Sequence, residues 1–240
     1  MDRGDEFLKK YRAVDNEIIR KYHLSDDRED SGFKHLEQQK DWAFMKEDLQ
    51  YCRKLRNFFS HKDNIEGHYP VVPTDGLMDF LDTVIDKVHH PAKAENIMVK
   101  ARYMKTRKMT DSVRETMEMM LKNSFTHVPI VNDLGLVTGV FSENTLLRYL
   151  IDDKIVEIDD DKTFAEIGEK YLGFSNHKTE KFDFIARDTM LTEIKEMFSE
   201  ALSTDRRVGM LFVTQNGSPK ERPLGIVTLW DVAGKDYTLI

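Results

Sequence analysis

One cysteine, Cys52, stands alone in 240 residues. That excludes an intramolecular disulfide framework and any multi-cysteine zinc module, and it suits a reducing compartment. Proline (6) and glycine (12) are scarce, which removes collagen-like and low-complexity classes. An excess of positive charge is missing as well. Thirty-six basic residues face 43 acidic ones, a net charge of −7, which argues against a protein that coats nucleic acid non-specifically but leaves room for a local basic site. No run approaches the ~18 uninterrupted apolar residues of a membrane span. The start, Met1-Asp2-Arg3-Gly4-Asp5-Glu6, is charged and leads into no apolar signal segment. A cytoplasmic protein with no membrane partner is expected. Catalytic signatures are absent too: there is no P-loop, G-x-G-x-x-G, G-x-S-x-G or H-E-x-x-H. What remains is 40% apolar residues, enough for a sizeable core at this length.

The apolar residues of the first ninety positions recur at helical spacing. Phe7, Tyr11, Val14, Ile18 and Tyr22 form one stripe, and Trp42, Met45, Leu49, Cys52, Leu55 and Phe59 a second. Between them Ser25 to Gly32 reads as a polar break. After a loop holding Gly67, Pro70 and Pro73, Thr74 is placed to cap a third helix through Leu77, Leu81, Val84 and Val88. His89-His90-Pro91 ends it, because a residue before proline resists the α region. Residues 1–91 are therefore predicted as an all-α helical bundle.

From Pro91 onward short β-rich runs alternate with helices. His127–Val131 and Leu136–Phe141 are strands about the turn Asn132-Asp133-Leu134-Gly135, preceded by a helix around Val113, Met117 and Met120 and followed by one that Ser142 can cap. The order returns: Phe182–Ile185, a helix with Leu191, Ile194 and Phe198, a hairpin of Val208–Thr214 and Leu224–Val227, then a helix opened by Thr228. Gly139-Val140-Phe141-Ser142 parallels Gly225-Ile226-Val227-Thr228. The fold class expected is α+β: the helical bundle, then two βαββα repeats at 92–151 and 182–240 forming a pseudo-twofold pair. Residues 152–181 are read as an insert, with an acidic run at Glu157–Asp161 and a packed helix through Phe164, Ile167 and Tyr171.

On this repeat order, the Val128-Pro129-Ile130-Val131 strand and the two glycine-led segments, residues 93–240 resemble a tandem CBS-domain pair. The resemblance implies a regulatory module that takes an adenine nucleotide (ATP, ADP or AMP) or S-adenosylmethionine in a cleft. In that family a Thr-x-x-Asp motif holds the ribose, matched here by Thr228-Leu229-Trp230-Asp231. The first repeat reads Ser142-Glu143-Asn144-Thr145 and lacks the carboxylate, so one competent and one degraded cleft are expected. Ser142 remains a candidate contact. Arg206 and Arg207 are the candidate phosphate partners, with Arg187 behind them. Thr228 and Asp231 also suit a plain helix cap.

A second resemblance sits at Arg56-Asn57-Phe58-Phe59-Ser60-His61, which is similar to the R-x-x-x-x-H motif of HEPN domains. It implies metal-independent RNA cleavage, with His61 as acid or base, Arg56 on the phosphate and Asn57 orienting the imidazole or the substrate. No catalytic metal is expected. On one straight helix Arg56 and His61 stand about 140° apart; the resemblance implies two protomers that each give Arg and His to a shared cleft, so catalysis would demand a homodimer. Arg56 and Asn57 equally suit a helix C-terminus. The other histidines, including His89 and His90, show no carboxylate partner at ligand spacing. The leading expectation is an adenosyl-ligand sensor signalling through its helical domain; the alternative is a nucleotide-gated HEPN ribonuclease with RNA as partner.

Overall fold

The first apolar stripe folds as one helix, α1 (Arg3–Tyr22), because its spacing of four and three puts Phe7, Tyr11, Val14 and Ile18 on one buried face. Asp2 caps it, accepting from the Gly4 N–H at 2.8 Å. The computed structural model describes residues 2–25, 31–60, 69, 71–155, 157–202 and 205–233. By its own contacts the chain divides into two compact units, Met1–Ala92 and Lys93–Ile240.

In the first unit a short helix, α2 (Ser31–Gln38), begins inside the stretch expected as a polar break. Two features start it. Gly32 lies so close to α1 that a Cβ there would stand 2.7 Å from the Asp15 carbonyl oxygen, and the buried Asp15 carboxylate accepts the Phe33 N–H at 2.9 Å. Phe33 then stacks on Tyr11 with ring centroids 4.2 Å apart, and Leu36 is fully buried. The second stripe is a 3₁₀ turn, Lys40–Met45, running into α3 (Lys46–Ser60). The turn delivers Trp42 and Met45 to the core, and α3 adds Leu49, Cys52 and Phe59. Thr74 caps α4 (Asp75–His89) by accepting from Leu77 N–H at 3.3 Å, and Leu81, Val84 and Val88 close the bundle. Each such side chain contributes roughly 1.5–3 kcal/mol on burial. Burial also pushes the Cys52 thiol up to about 12, so it packs as a small apolar group.

The second unit runs α5 (Ala94–Ile97), β1 (Val99–Lys100), α6 (Val113–Asn123), β2 (His127–Val131), β3 (Val137–Ser142), α7 (Glu143–Asp152), α8 (Phe164–Ile167), α9 (Glu169–Leu172), β4 (Glu180–Ala186), α10 (Leu191–Leu202), β5 (Arg207–Thr214), β6 (Gly225–Val227) and α11 (Leu229–Ala233). Two sheets form, one of order β1-β6-β5-β4 and one of β2-β3. Chain reversals follow the turn residues: Gly135 and Gly217 both sit at φ 77°, and the Asn132 side chain accepts from Leu134 and Leu136.

The two halves interlock. The backbone of α5 reaches forward, Ala94 N–H to Thr189 O at 2.8 Å and Glu95 N–H to Arg187 O at 3.0 Å. The backbone of α8 reaches back in the same way, Phe164 N–H to Asp111 O at 3.2 Å and Ala165 N–H to Met109 O at 2.7 Å. Matching bridges join Lys93 to Met190 and Ser112 to Thr163. Residues 152–181, expected as an insert, thus contain the counterpart of α5, and Phe164, Ile167 and Tyr171 belong to the core of the first repeat beside Val113, Val128 and Phe141. The leading strand expected in the first repeat is reduced to one parallel bridge, Arg107 to Ile130, while β1 pairs antiparallel with β6 in the sheet of the second repeat. The paired glycines find their reason here. A Cβ on Gly139 would stand 2.4 Å from the Leu172 carbonyl oxygen, and one on Gly225 2.5 Å from that of Val99.

Candidate functional site

Strand β6 ends at Val227, and the chain turns at Thr228 into α11. Both the Thr228 N–H and its hydroxyl donate to Asp231 Oδ2, at 2.8 and 2.7 Å. Both residues are half-buried, and Leu229 and Trp230 between them are exposed. The pair makes a local cap and also presents a carboxylate at the end of the sheet. The register Leu211 to Val227 places the Arg206–Arg207 end of β5 at that same end. Arg207 is exposed there, and Arg206 donates to the Glu180 carbonyl at 3.0 Å. Arg187 is committed elsewhere, to Glu95, through Nε at 2.8 Å and a second contact from Nη2. A cavity of about 340 Å³, lined by Met98, Lys100, Arg102 and Leu224 beside the Arg187–Glu95 pair, lies at the Leu224 end of β6 and not at Thr228.

The equivalent turn of the first repeat is built differently. Ser142 caps α7, accepting from Thr145 N–H at 3.2 Å. Its hydroxyl donates to Glu180 Oε2 at 2.8 Å, and Asn144 Nδ2 and His127 Nε2 reach Glu180 Oε1 at 2.9 and 3.0 Å. His177 Nδ1 stands 3.9 Å from Oε2 and 3.5 Å from the Thr145 hydroxyl. His177 Nε2 faces the Leu172 carbonyl at 3.3 Å, so Nε2 carries the proton and Nδ1 accepts from Thr145. Ser142, Thr145, His177 and Glu180 are all buried. Burial alone raises the Glu180 carboxyl, but the His127 contact and charge and the hydrogen bonds from Ser142 and Asn144 override it and hold the group at about 2. Burial pushes the His177 imidazole below its ordinary range.

Sequence reasoning missed this cluster. Three histidines do have carboxylate neighbours: His127 lies 3.0 Å from Glu180, His90 3.0 Å from Asp86, and His89 3.2 Å from Glu17. Only the Asp86–His90 step of four was visible in the sequence, and His127 and Glu180 are separated by 53 positions. Among the described residues no three His, Cys, Asp or Glu side chains are arranged to hold a metal ion. In the acidic run Ile158 is buried and Asp160 pairs with Arg114 at 2.5 Å. In the helical unit Arg56 is buried on α3, and its Nη1 donates to Asn57 Oδ1 at 2.9 Å. His61 lies outside the described residues.

Residues 108–152 match the family model of the CBS domain. No curated protein matches the chain. Among solved structures, a putative acetoin utilization protein from Vibrio cholerae is 19% identical, with 60% of this chain and 89% of that one covered and a TM-score of 0.44. CBSX2, solved in complex with AMP, is 17% identical (59% and 93% covered, TM-score 0.43). The CBS domain pair of protein MJ0100, solved with 5′-methylthioadenosine and S-adenosyl-L-methionine, is 18% identical (60% and 94% covered, TM-score 0.42). No described helix is long and apolar enough to cross a membrane.

Proposed function

We propose that the 93–240 unit is a ligand sensor that takes an adenosine-containing compound, an adenine nucleotide or S-adenosylmethionine, at Thr228 and Asp231, and that the helical unit passes the bound state on. The observation that carries this is the half-buried Asp231 carboxylate. One oxygen is held by Thr228, and Oδ1 takes no hydrogen bond from any described residue, so it is free to accept from vicinal ribose hydroxyls. Arg207, exposed at the same end of the sheet, supplies a cation for a phosphate or carboxylate tail. The match of residues 108–152 to the CBS domain supports the ligand class.

The test is calorimetry with AMP, ADP, ATP and S-adenosylmethionine against wild type and Asp231→Ala. Removing the carboxylate should weaken the best ligand at least tenfold, a loss of about 1.4 kcal/mol or more. Equal affinity in the two proteins would remove Asp231 from the site.

A further inference from the structure

Ser142 and Thr228 occupy the same place in the two repeats, and each hydroxyl donates to a carboxylate. In the second repeat the acceptor is Asp231, on the same short helix. In the first repeat Thr145 stands in that position, and the acceptor is Glu180, which opens β4 of the other repeat. The negative charge has not been lost from the first turn but is delivered across the pseudo-twofold.

We propose that Glu180 is the permanent occupant of the first cleft, an internal anion seated on Ser142, Asn144 and His127, so that the chain offers one adenosyl site instead of two. The polar side chains at this turn are already engaged. Oε1 takes donors from His127 and Asn144, Oε2 takes the Ser142 hydroxyl, and Thr145 is engaged with Ser142 and His177. Ser142 is 0% exposed and Glu180 6%, whereas Thr228 and Asp231 keep open surface. A ribose entering the first cleft would have to evict a buried carboxylate from all its partners, and an unpaired buried charge is among the costliest things a fold can hold. A phosphate would also meet that negative charge, with His127 Nε2 already engaged to it.

The count of sites rests on the sensor reading of the second cleft, but the anion seat does not, and two measurements separate them. Calorimetry on the full chain should give one equivalent of ligand, weakened at least tenfold in Asp231→Ala. Two equivalents in wild type would overturn the seal. The second measurement is thermal unfolding of Glu180→Ala in sodium formate against sodium chloride at equal ionic strength. Formate should raise the variant's midpoint saturably and leave wild type unmoved; if the variant is unfolded in chloride, formate should restore its fold. A variant indifferent to formate would overturn the seat. If wild type binds no adenosyl compound, the sensor reading falls, and the formate result alone decides on Glu180.

Discussion

Glu180 and His177 titrate so as to make the second unit acid-labile. The Glu180 carboxyl sits at about 2 in the folded protein against an ordinary 4.5, so its contribution is fully present above pH 4.5 and is lost as pH falls toward 2. The gap corresponds to on the order of 3 kcal/mol at neutral pH. His177 is lowered from 6.5, so on acidification the unfolded chain takes a proton that the folded imidazole refuses, and stability drops below pH 6.5 as well. Denaturant midpoints measured from pH 7 to 3 should fall continuously, and Glu180→Gln should flatten the part below 4.5. A wild-type midpoint constant over that range would contradict both assignments. The same scale applies to Arg56, a buried guanidinium bonded to its neighbour Asn57. Arg56→Ala should destabilise the helical unit by about 1–3 kcal/mol, read as a lower unfolding midpoint. A loss of RNA cleavage in that variant would therefore not by itself establish a role in chemistry.

Elements are joined most tightly where a strand meets the segment that crosses from the other half. Gly139→Ala and Gly225→Ala each push a methyl group into a backbone carbonyl, at 2.4 and 2.5 Å. Each should lose about 1–3 kcal/mol in denaturant titration with an unchanged slope. Gly76→Ala, in the first turn of α4, meets only the Thr74 hydroxyl at 4.0 Å and should be neutral or slightly stabilising. The repeat was legible in the sequence because these glycines, the hairpin turns and the Ser142 and Thr228 cap positions are local signals that recur in order. The kinship of α8 with α5 was not legible within residues 152–181, because α8 has only four residues and the likeness lies in what its backbone bonds to across the fold. The leading strand of the first repeat faded for a related reason: one parallel bridge at Arg107 leaves no alternation to detect. At the candidate site Thr228 and Asp231 could be picked out three residues apart. Glu180 could not, since its partnership with Ser142 exists only once the two halves have closed on each other.

At the scale of the whole chain, each unit has a core of its own. Phe7 to Val88 supply one; within 93–240, one cluster is drawn from Val113 to Leu172 and a second joins Val137 and Val140 to Phe182, Met210 and Phe212. The tryptophans divide in the same way: Trp42 is buried in the helical core, whereas Trp230 is 86% exposed beside Asp231. Phe33→Ala, which removes the ring stacked on Tyr11, should cost about 3–5 kcal/mol. It should be read as a lower midpoint in the Trp42 fluorescence transition. The exchange of α5 and α8 between the halves of the second unit has a further consequence for how such a chain can be taken apart. Each half carries a piece that completes the other, so a chain cut between α7 and α8 is expected to give two fragments that regain structure only when mixed, each the template on which its counterpart folds, as circular dichroism of the fragments alone and together would read.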